Sequence, residues 1–195
     1  AYTALAGQEN QEYFELAETD FRSLIEESPE RPKHYSAFAN MWAKKGEYDS
    51  ALRYYEKSLT HLPSLKDPRI NQDHSEVVRH RKYLNRKGQA DVYFSQQNYK
   101  KAEEYYSRAL ESKPSDIALY KEIANTYYKR DKLDKAIQYN EKGYILSPKD
   151  ATWPFSIALL YQEKGSKEKA LEYGKQALKL APRNEQIKEF VEKLE

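Results

Sequence analysis

Apolar residues recur at steps of three and four along most of this chain, with charged residues between them. Residues 32–65 contain two such stripes, each typical of one face of an amphipathic helix. Gly46 ends the first stripe and Pro63 follows the second, as expected for residues that terminate helices. The stripes consist of Tyr35, Phe38, Ala39 and Trp42, and of Tyr48, Ala51, Leu52, Tyr55 and Leu59. The pattern therefore predicts two helices joined by a short turn.

The same two-helix pattern repeats with a period of 34 residues. Several residue types keep this interval in phase: Ala102, Ala136 and Ala170; Pro114, Pro148 and Pro182; Tyr93, Tyr127 and Tyr161. Such agreement indicates one structural unit copied along the chain. Alanine at the recurring positions is expected where paired helices come closest, because a larger side chain there would cost about 1–3 kcal/mol.

One interval is longer than the others. Ala51 and Ala102 are 51 residues apart, which is one period plus 17 and places an insertion at about residues 66–82. Its start is predicted to be a loop, because an Asp-Pro pair disfavours helix. From about Asp73 the apolar pattern predicts an N-terminal extension of the next helix.

This periodic pattern resembles the tetratricopeptide repeat family, whose signature places aromatic residues, a Leu-Gly-type pair, Tyr, two Ala and Pro within 34 residues. Here the Leu-Gly-type pair ends in alanine instead, as Phe38-Ala39, Gln89-Ala90, Ile123-Ala124 and Ile157-Ala158. The resemblance implies an all-α fold, a right-handed superhelical solenoid of antiparallel helix pairs.

The resemblance also divides the chain into units. Residues 1–31 are expected to form a degenerate N-terminal repeat that lacks a clear first helix. The remaining units are four repeats at 32–65, 83–116, 117–150 and 151–184, the insertion at 66–82, and a C-terminal capping helix at 185–195.

Three positions depart from the family pattern in the later repeats. Trp153 is expected to replace the early aromatic residue, because Pro154 occupies its usual place. Gly143 and Gly174 leave less to pack in the second helices, so reduced local stability is predicted there.

Composition agrees with a thin, elongated fold that keeps much of its surface in water. A third of the residues are charged, 39% are hydrophobic, and eighteen are Tyr. The net charge of +2 provides no general attraction to nucleic acid or anionic lipid, and no run is apolar enough to insert into a membrane. Cysteine is absent, which is compatible with reducing and oxidising compartments alike, so composition assigns no localisation.

The family resemblance implies a concave surface, lined mainly by the first helix of each unit, that takes up an extended peptide or helix. The residues expected to face it are Lys33, Asn40, Lys44, Lys87, Asp91, Phe94, Lys121, Asn125, Tyr128 and Lys129. Lys outnumbers acid in this set, so the expected partner is a protein or peptide that carries carboxylates. The alternative interpretation of these lysines is an ordinary solvated helix face.

Two narrower recognition modes are disfavoured. The family's two-carboxylate clamp needs an Asn where Leu159 stands and tolerates no carboxylate at Asp91. RNA-reading solenoids use a 35-residue period instead of 34.

The sequence therefore predicts a non-catalytic scaffold that binds a peptide or protein partner in its groove. The four His residues are scattered, and neither a Gly-rich phosphate loop nor a nucleophile elbow is present, so no enzyme activity, cofactor or metal is expected. Two alternatives stay open. The first residue is Ala1, which fits the soluble repeat region of a larger bacterial membrane glycan or O-antigen polymerase or ligase. The second is self-assembly of an open-ended solenoid into a homo-oligomer.

Overall fold

The computed structural model describes residues 2–63 and 72–195, and these residues form ten α-helices and no strands. This confirms the all-helical fold class. The helices are α1 (Tyr2–Glu27), α2 (Pro32–Lys45), α3 (Tyr48–Thr60), α4 (Gln72–Ser95), α5 (Tyr99–Ser112), α6 (Ile117–Tyr128), α7 (Leu133–Leu146), α8 (Thr152–Glu163), α9 (Lys167–Leu180) and α10 (Glu185–Leu194). They form two compact units, Ala1–Lys113 and Pro114–Glu195.

Only part of the predicted insertion is described. Helix α4 begins at Gln72, so residues 72–82 are helical and continuous with the helix that follows. The predicted loop at the start of the insertion, residues 66–71, lies outside the described residues. The division of the chain into repeats stays a prediction.

Consecutive helices pack as antiparallel pairs. Tyr35 near the start of α2 stacks on His61 after the end of α3, with ring centroids 4.7 Å apart. Phe38, further along α2, packs against Tyr54, earlier in α3, at 4.4 Å. The pairs α4–α5, α6–α7 and α8–α9 also pack along their lengths.

A short turn joins the two helices of each pair, and each turn contains one residue with a positive φ. These residues are Gly46 (84°), Gln97 (59°), Asp131 (56°) and Gly165 (75°). The left-handed conformation ends the first helix and reverses the chain within two to four residues. Glycine suits this conformation, and Gln97 and Asp131 adopt it at a cost that the packed helices offset.

The recurring alanines lie at the contact between paired helices. Ala51, Ala102, Ala136 and Ala170 are each at most 1% exposed. A methyl group is the largest side chain that lets two helix backbones come so close, so these positions set the spacing of each pair.

The expectation of weak packing at Gly143 and Gly174 is wrong. The indole of Trp153, which is fully buried, occupies the space above Gly143, and an added Cβ would lie 2.3 Å from its Cη2 atom. At Gly174 an added Cβ would lie 3.0 Å from Cε1 of Phe190, on α10. Both glycines are therefore places where an aromatic ring of the next helix meets bare backbone.

In the first unit Gly88 makes the same kind of contact. An added Cβ there would lie 2.3 Å from Cζ of Tyr55, so the ring of α3 lies directly on the backbone of α4. Neighbouring pairs are thus held together by a ring-on-glycine contact in both units.

We expect Gly143→Ala to lower the free energy of unfolding by about 1–3 kcal/mol, because Trp153 cannot move away without a cavity. Helix propensity alone would instead raise stability by about 1 kcal/mol, so the sign of the change is informative. Urea unfolding monitored by tryptophan fluorescence and circular dichroism measures it. The loss should shrink in a Trp153→Leu background, and an unchanged loss there would contradict the contact.

Candidate functional site

The first helices of two neighbouring pairs, α6 and α8, line a groove of about 390 Å³ in the second unit. Its residues are Lys121, Ala124, Asn125 and Tyr128 of α6, Asn140 of α7, and Ser156, Leu159, Leu160 and Glu163 of α8. Tyr128 and Leu159 are each 41% exposed, which leaves apolar surface open to solvent inside the groove. The groove therefore combines apolar contact area with polar side chains of several kinds.

Lys121 is held at the base of α8 by three contacts. Its Nζ donates to Thr152 Oγ1 at 2.9 Å, lies 3.4 Å from a carboxylate oxygen of Asp150, and is 4.8 Å from the centre of the Trp153 ring. These contacts fix the ammonium group and balance part of its charge. One of its three N–H groups is still able to donate to a ligand.

Asp150 organises the start of α8. Its Oδ1 accepts hydrogen bonds from the backbone N–H of Thr152 at 2.9 Å and from Thr152 Oγ1 at 2.7 Å. Burial has the largest effect and acts to raise the pKa of Asp150. The Thr152 hydrogen bonds and the Lys121 charge outweigh burial and hold that pKa below its usual value.

Asn125 and Tyr128 differ in how they are engaged. The Asn125 side chain is exposed and has no hydrogen-bond partner among the described residues, so its amide is able to donate and accept. Tyr128 faces Glu163, whose charge and hydrogen bond raise the pKa of Tyr128. The α8 side of the groove thus carries an acidic group, which the sequence did not assign to the site.

A second cavity, of about 340 Å³, lies between α2 and α4 in the first unit. Asn40 and Lys44 line it on one side and Asp91 on the other. Asn40 Oδ1 accepts a hydrogen bond from the Tyr55 hydroxyl. Burial, with a smaller effect of the Asp91 charge, raises the pKa of Tyr55.

Asp91 is already bound by the chain itself. Lys87 Nζ donates to it at 2.8 Å and the Tyr106 hydroxyl at 2.7 Å. Lys87 is therefore ion-paired one helical turn away, and much of its charge is balanced. The Asp91 carboxylate and the Asn40 amide oxygen of this cavity are therefore both engaged within the chain.

Four of the sequence-predicted residues do not line either cavity, and one of them is Lys87, which pairs with Asp91. Lys33 is exposed at the start of α2. Phe94 packs edge-on against Tyr99, with ring centroids 5.3 Å apart. Lys129 follows the end of α6, with its Nζ 6.0 Å from the Tyr128 ring centre.

The groove also contains residues that were not predicted, chiefly Leu159, Leu160 and Glu163. The 34-residue interval contained the signal, because Asn125 plus 34 is Leu159. Asn40, Asp91, Asn125 and Leu159 occupy the same place in successive repeats, and all four line one of the two cavities. Leucine carries no polar group, so a pattern of polar residues does not point to Leu159.

The described parts of the chain contain neither a candidate metal site nor a membrane-spanning helix. No group of three His, Asp or Glu side chains there is placed to hold a metal ion. No helix within residues 2–63 and 72–195 has the length and apolar character to cross a membrane.

Comparison with known families and structures gives one consistent match. Three family models, each described as a tetratricopeptide repeat, match residues 33–60, 87–151 and 155–184. No curated protein sequence matches the chain.

Solved structures share the fold at low sequence identity. One is YrrB, described as a TPR protein with an unusual peptide-binding site, which is 21% identical over 89% of this chain and 81% of its own, with a TM-score of 0.63. MamA is 17% identical over 92% of this chain and 95% of its own, with a TM-score of 0.67. MamA from Desulfovibrio magneticus RS-1 is 15% identical over 94% of this chain and 92% of its own, with a TM-score of 0.63. These likenesses show the fold alone.

We expect Asp150→Asn to lower the free energy of unfolding by about 1 kcal/mol at neutral pH, a value reduced for the partial exposure of the Lys121 pair. The folded-state pKa of Asp150 is depressed, so its stabilisation is present above the unfolded-state pKa and is lost as pH falls through the folded value. The difference between the two proteins should therefore vanish on acidification. Urea unfolding from pH 7 to pH 2.5 measures it, with Glu189→Gln as an exposed carboxyl control. A difference that stays constant with pH would contradict the assignment.

Proposed function

Because this chain belongs to the tetratricopeptide repeat family, we propose that it is a non-catalytic scaffold that binds an extended peptide of a partner protein in the α6–α8 groove. Proteins of this family are typical interaction scaffolds. YrrB, which has the same fold, is described as having a peptide-binding site, and this supports the proposal.

The observation that carries the proposal is the unpaired Asn125 amide beside exposed apolar surface. A carboxamide both donates and accepts, so Asn125 binds a peptide main chain through its N–H and C=O groups together. Leu159, directly across the groove, buries an apolar side chain of the peptide. Main-chain hydrogen bonds provide affinity for any extended peptide, and the apolar contact selects among sequences.

The charges of the groove narrow the partner further. Lys121 keeps one N–H for an acidic group of the peptide, but that group competes with Asp150 for the ammonium charge. Glu163 at the other side of the groove attracts a basic group. The preferred peptide therefore has an apolar residue between an acidic and a basic one. This is a more specific partner than the carboxylate-bearing peptide that the sequence predicts.

The proposal is tested with peptides selected from a random display library on the 195-residue chain. Calorimetry then gives the affinity of the best peptide for the wild type and for Asn125→Ala and Leu159→Ala. We expect each change to weaken binding about tenfold, because each removes a principal contact worth about 1–2 kcal/mol.

Lys179→Ala is the matched control, because Lys179 is exposed on α9 of the same unit and lies outside the groove. It should leave the affinity within about twofold of the wild type, since a solvated lysine contributes little. Peptides that bind all three variants like the wild type would contradict the groove as the site.

A further inference from the structure

An open groove of about 450 Å³ lies between α1 and α2, at the end of the first unit. Tyr13, Ala17, Asp20 and Leu24 of α1 form one wall, and Met41 belongs to the other. Tyr13 is 74% and Leu24 40% exposed, so large apolar side chains are left in water along this wall. We call this groove the α1–α2 seat.

The seat lies where a paired helix would be. Ala17 is in phase with Ala51, and Ala51 and its counterparts are fully buried because the first helix of each pair covers them. Ala17 packs against the same core as Phe14 and Phe21 but is only partly buried. Helix α1 thus has the contact face of a second helix, and no first helix within the described part of the chain covers it.

The adjacent part of the chain does not fill the seat. Each of the four helix pairs, α2–α3, α4–α5, α6–α7 and α8–α9, turns at a residue with positive φ. The residue one period before the turn residue Gly46 is Glu12. Glu12 lies within α1, which is continuous from Tyr2 to Glu27. Residues 2–11 therefore continue the helix axis and do not fold back over Ala17, so the seat is uncovered among residues 2–63 and 72–195.

The charge of α1 selects the kind of helix. Residues 11–27 carry six acidic side chains and one basic one, Arg22, which pairs with Glu18 at 2.6 Å. Asp20 lies in the seat, whose α2 wall carries Lys44. Glu12, eight residues before Asp20, and Glu27, seven residues after it, lie on the same side of α1, so acidic groups outnumber basic ones along this side. A second copy of α1 would bring like charges together and be repelled. A basic helix would instead be attracted by the negative charge of α1.

Helix α2 has the charge and the apolar face expected of a helix that binds in the seat. It carries Lys33, Lys44 and Lys45 and no acidic residue, and Ala39 on its apolar face is fully buried against its neighbours. The α3 face that α2 covers has the same alanine lattice as α1.

We propose that the α1–α2 seat binds a basic amphipathic α-helix of a partner protein, which places a small residue against Ala17 and basic side chains toward Asp20. The ligand is a helix in the first unit, whereas the α6–α8 groove takes an extended peptide in the second unit. Failure of either site therefore leaves the other standing.

The test uses a fluorescein-labelled peptide with the sequence of residues 32–45 as the probe and the 195-residue chain as the receptor. Fluorescence anisotropy should show saturable binding to the wild type. Ala17→Trp, which blocks close helix approach, and Asp20→Lys, which reverses the charge of the seat, should each weaken binding at least about tenfold. Asp20 is exposed, so its replacement leaves folding intact even where Ala17→Trp disturbs α1.

Glu15→Lys is the matched control. It makes the same charge change on the same helix, five residues from Asp20 and therefore on another face. Binding of the probe to Glu15→Lys within about twofold of the wild type supports the seat. Equal losses of affinity in Glu15→Lys and Asp20→Lys would show that only the general charge of α1 matters, and would overturn the proposal.

Other outcomes would overturn it as well. Absence of binding to the wild type, or equal binding of a probe with its three lysines changed to Glu, would remove the basic helix as the ligand. Loss of probe binding in Asn125→Ala but not in Asp20→Lys would assign the probe to the α6–α8 groove. Sedimentation that shows a wild-type dimer dispersed by Asp20→Lys would give the seat to a second copy of the chain.

Discussion

The close contact between two antiparallel helices at a single alanine is the interaction on which the rest of this structure depends. With only a methyl group at Ala51, Ala102, Ala136 or Ala170, the backbones approach until neighbouring aromatic rings fill the space on either side. Burial of those rings supplies most of the stabilising free energy, but the rings come into contact only because the alanine is small. A chain with a third of its residues charged can afford only such narrow, repeated cores.

Within each unit, neighbouring pairs are joined by the opposite kind of contact, in which a large ring lies on bare backbone. Tyr55 on Gly88 and Trp153 on Gly143 place an aromatic side chain where any Cβ would intrude. Gly143 looks like a packing defect as long as only its own helix is considered. It becomes a contact site once the next helix supplies its ring, which is why the expected weakness there was wrong.

The same geometry repeated along the chain presents different chemistry at equivalent positions. Asn40, Asp91, Asn125 and Leu159 each line a cavity from the same place in their repeats. Asp91 is bound by its own neighbours and Asn40 Oδ1 accepts from Tyr55, whereas the Asn125 side chain has no hydrogen bond among the described residues. Recognition in such a fold therefore depends on which equivalent positions the chain leaves unpaired, and the family fold alone does not decide this.

The sequence by itself determined the helical class, the helix pairs and the alanine contacts, because apolar spacing and turn residues act over a few positions and repeat in phase. It also nominated Asn125 and Tyr128 for the groove. Only the tertiary structure decided that Lys121 is held by Asp150, 29 residues away, that Leu159 and Glu163 complete the groove, and that Ala17 is only partly buried. Ion pairing, side-chain burial and missing partners are set by residues distant in sequence, so no local pattern encodes them.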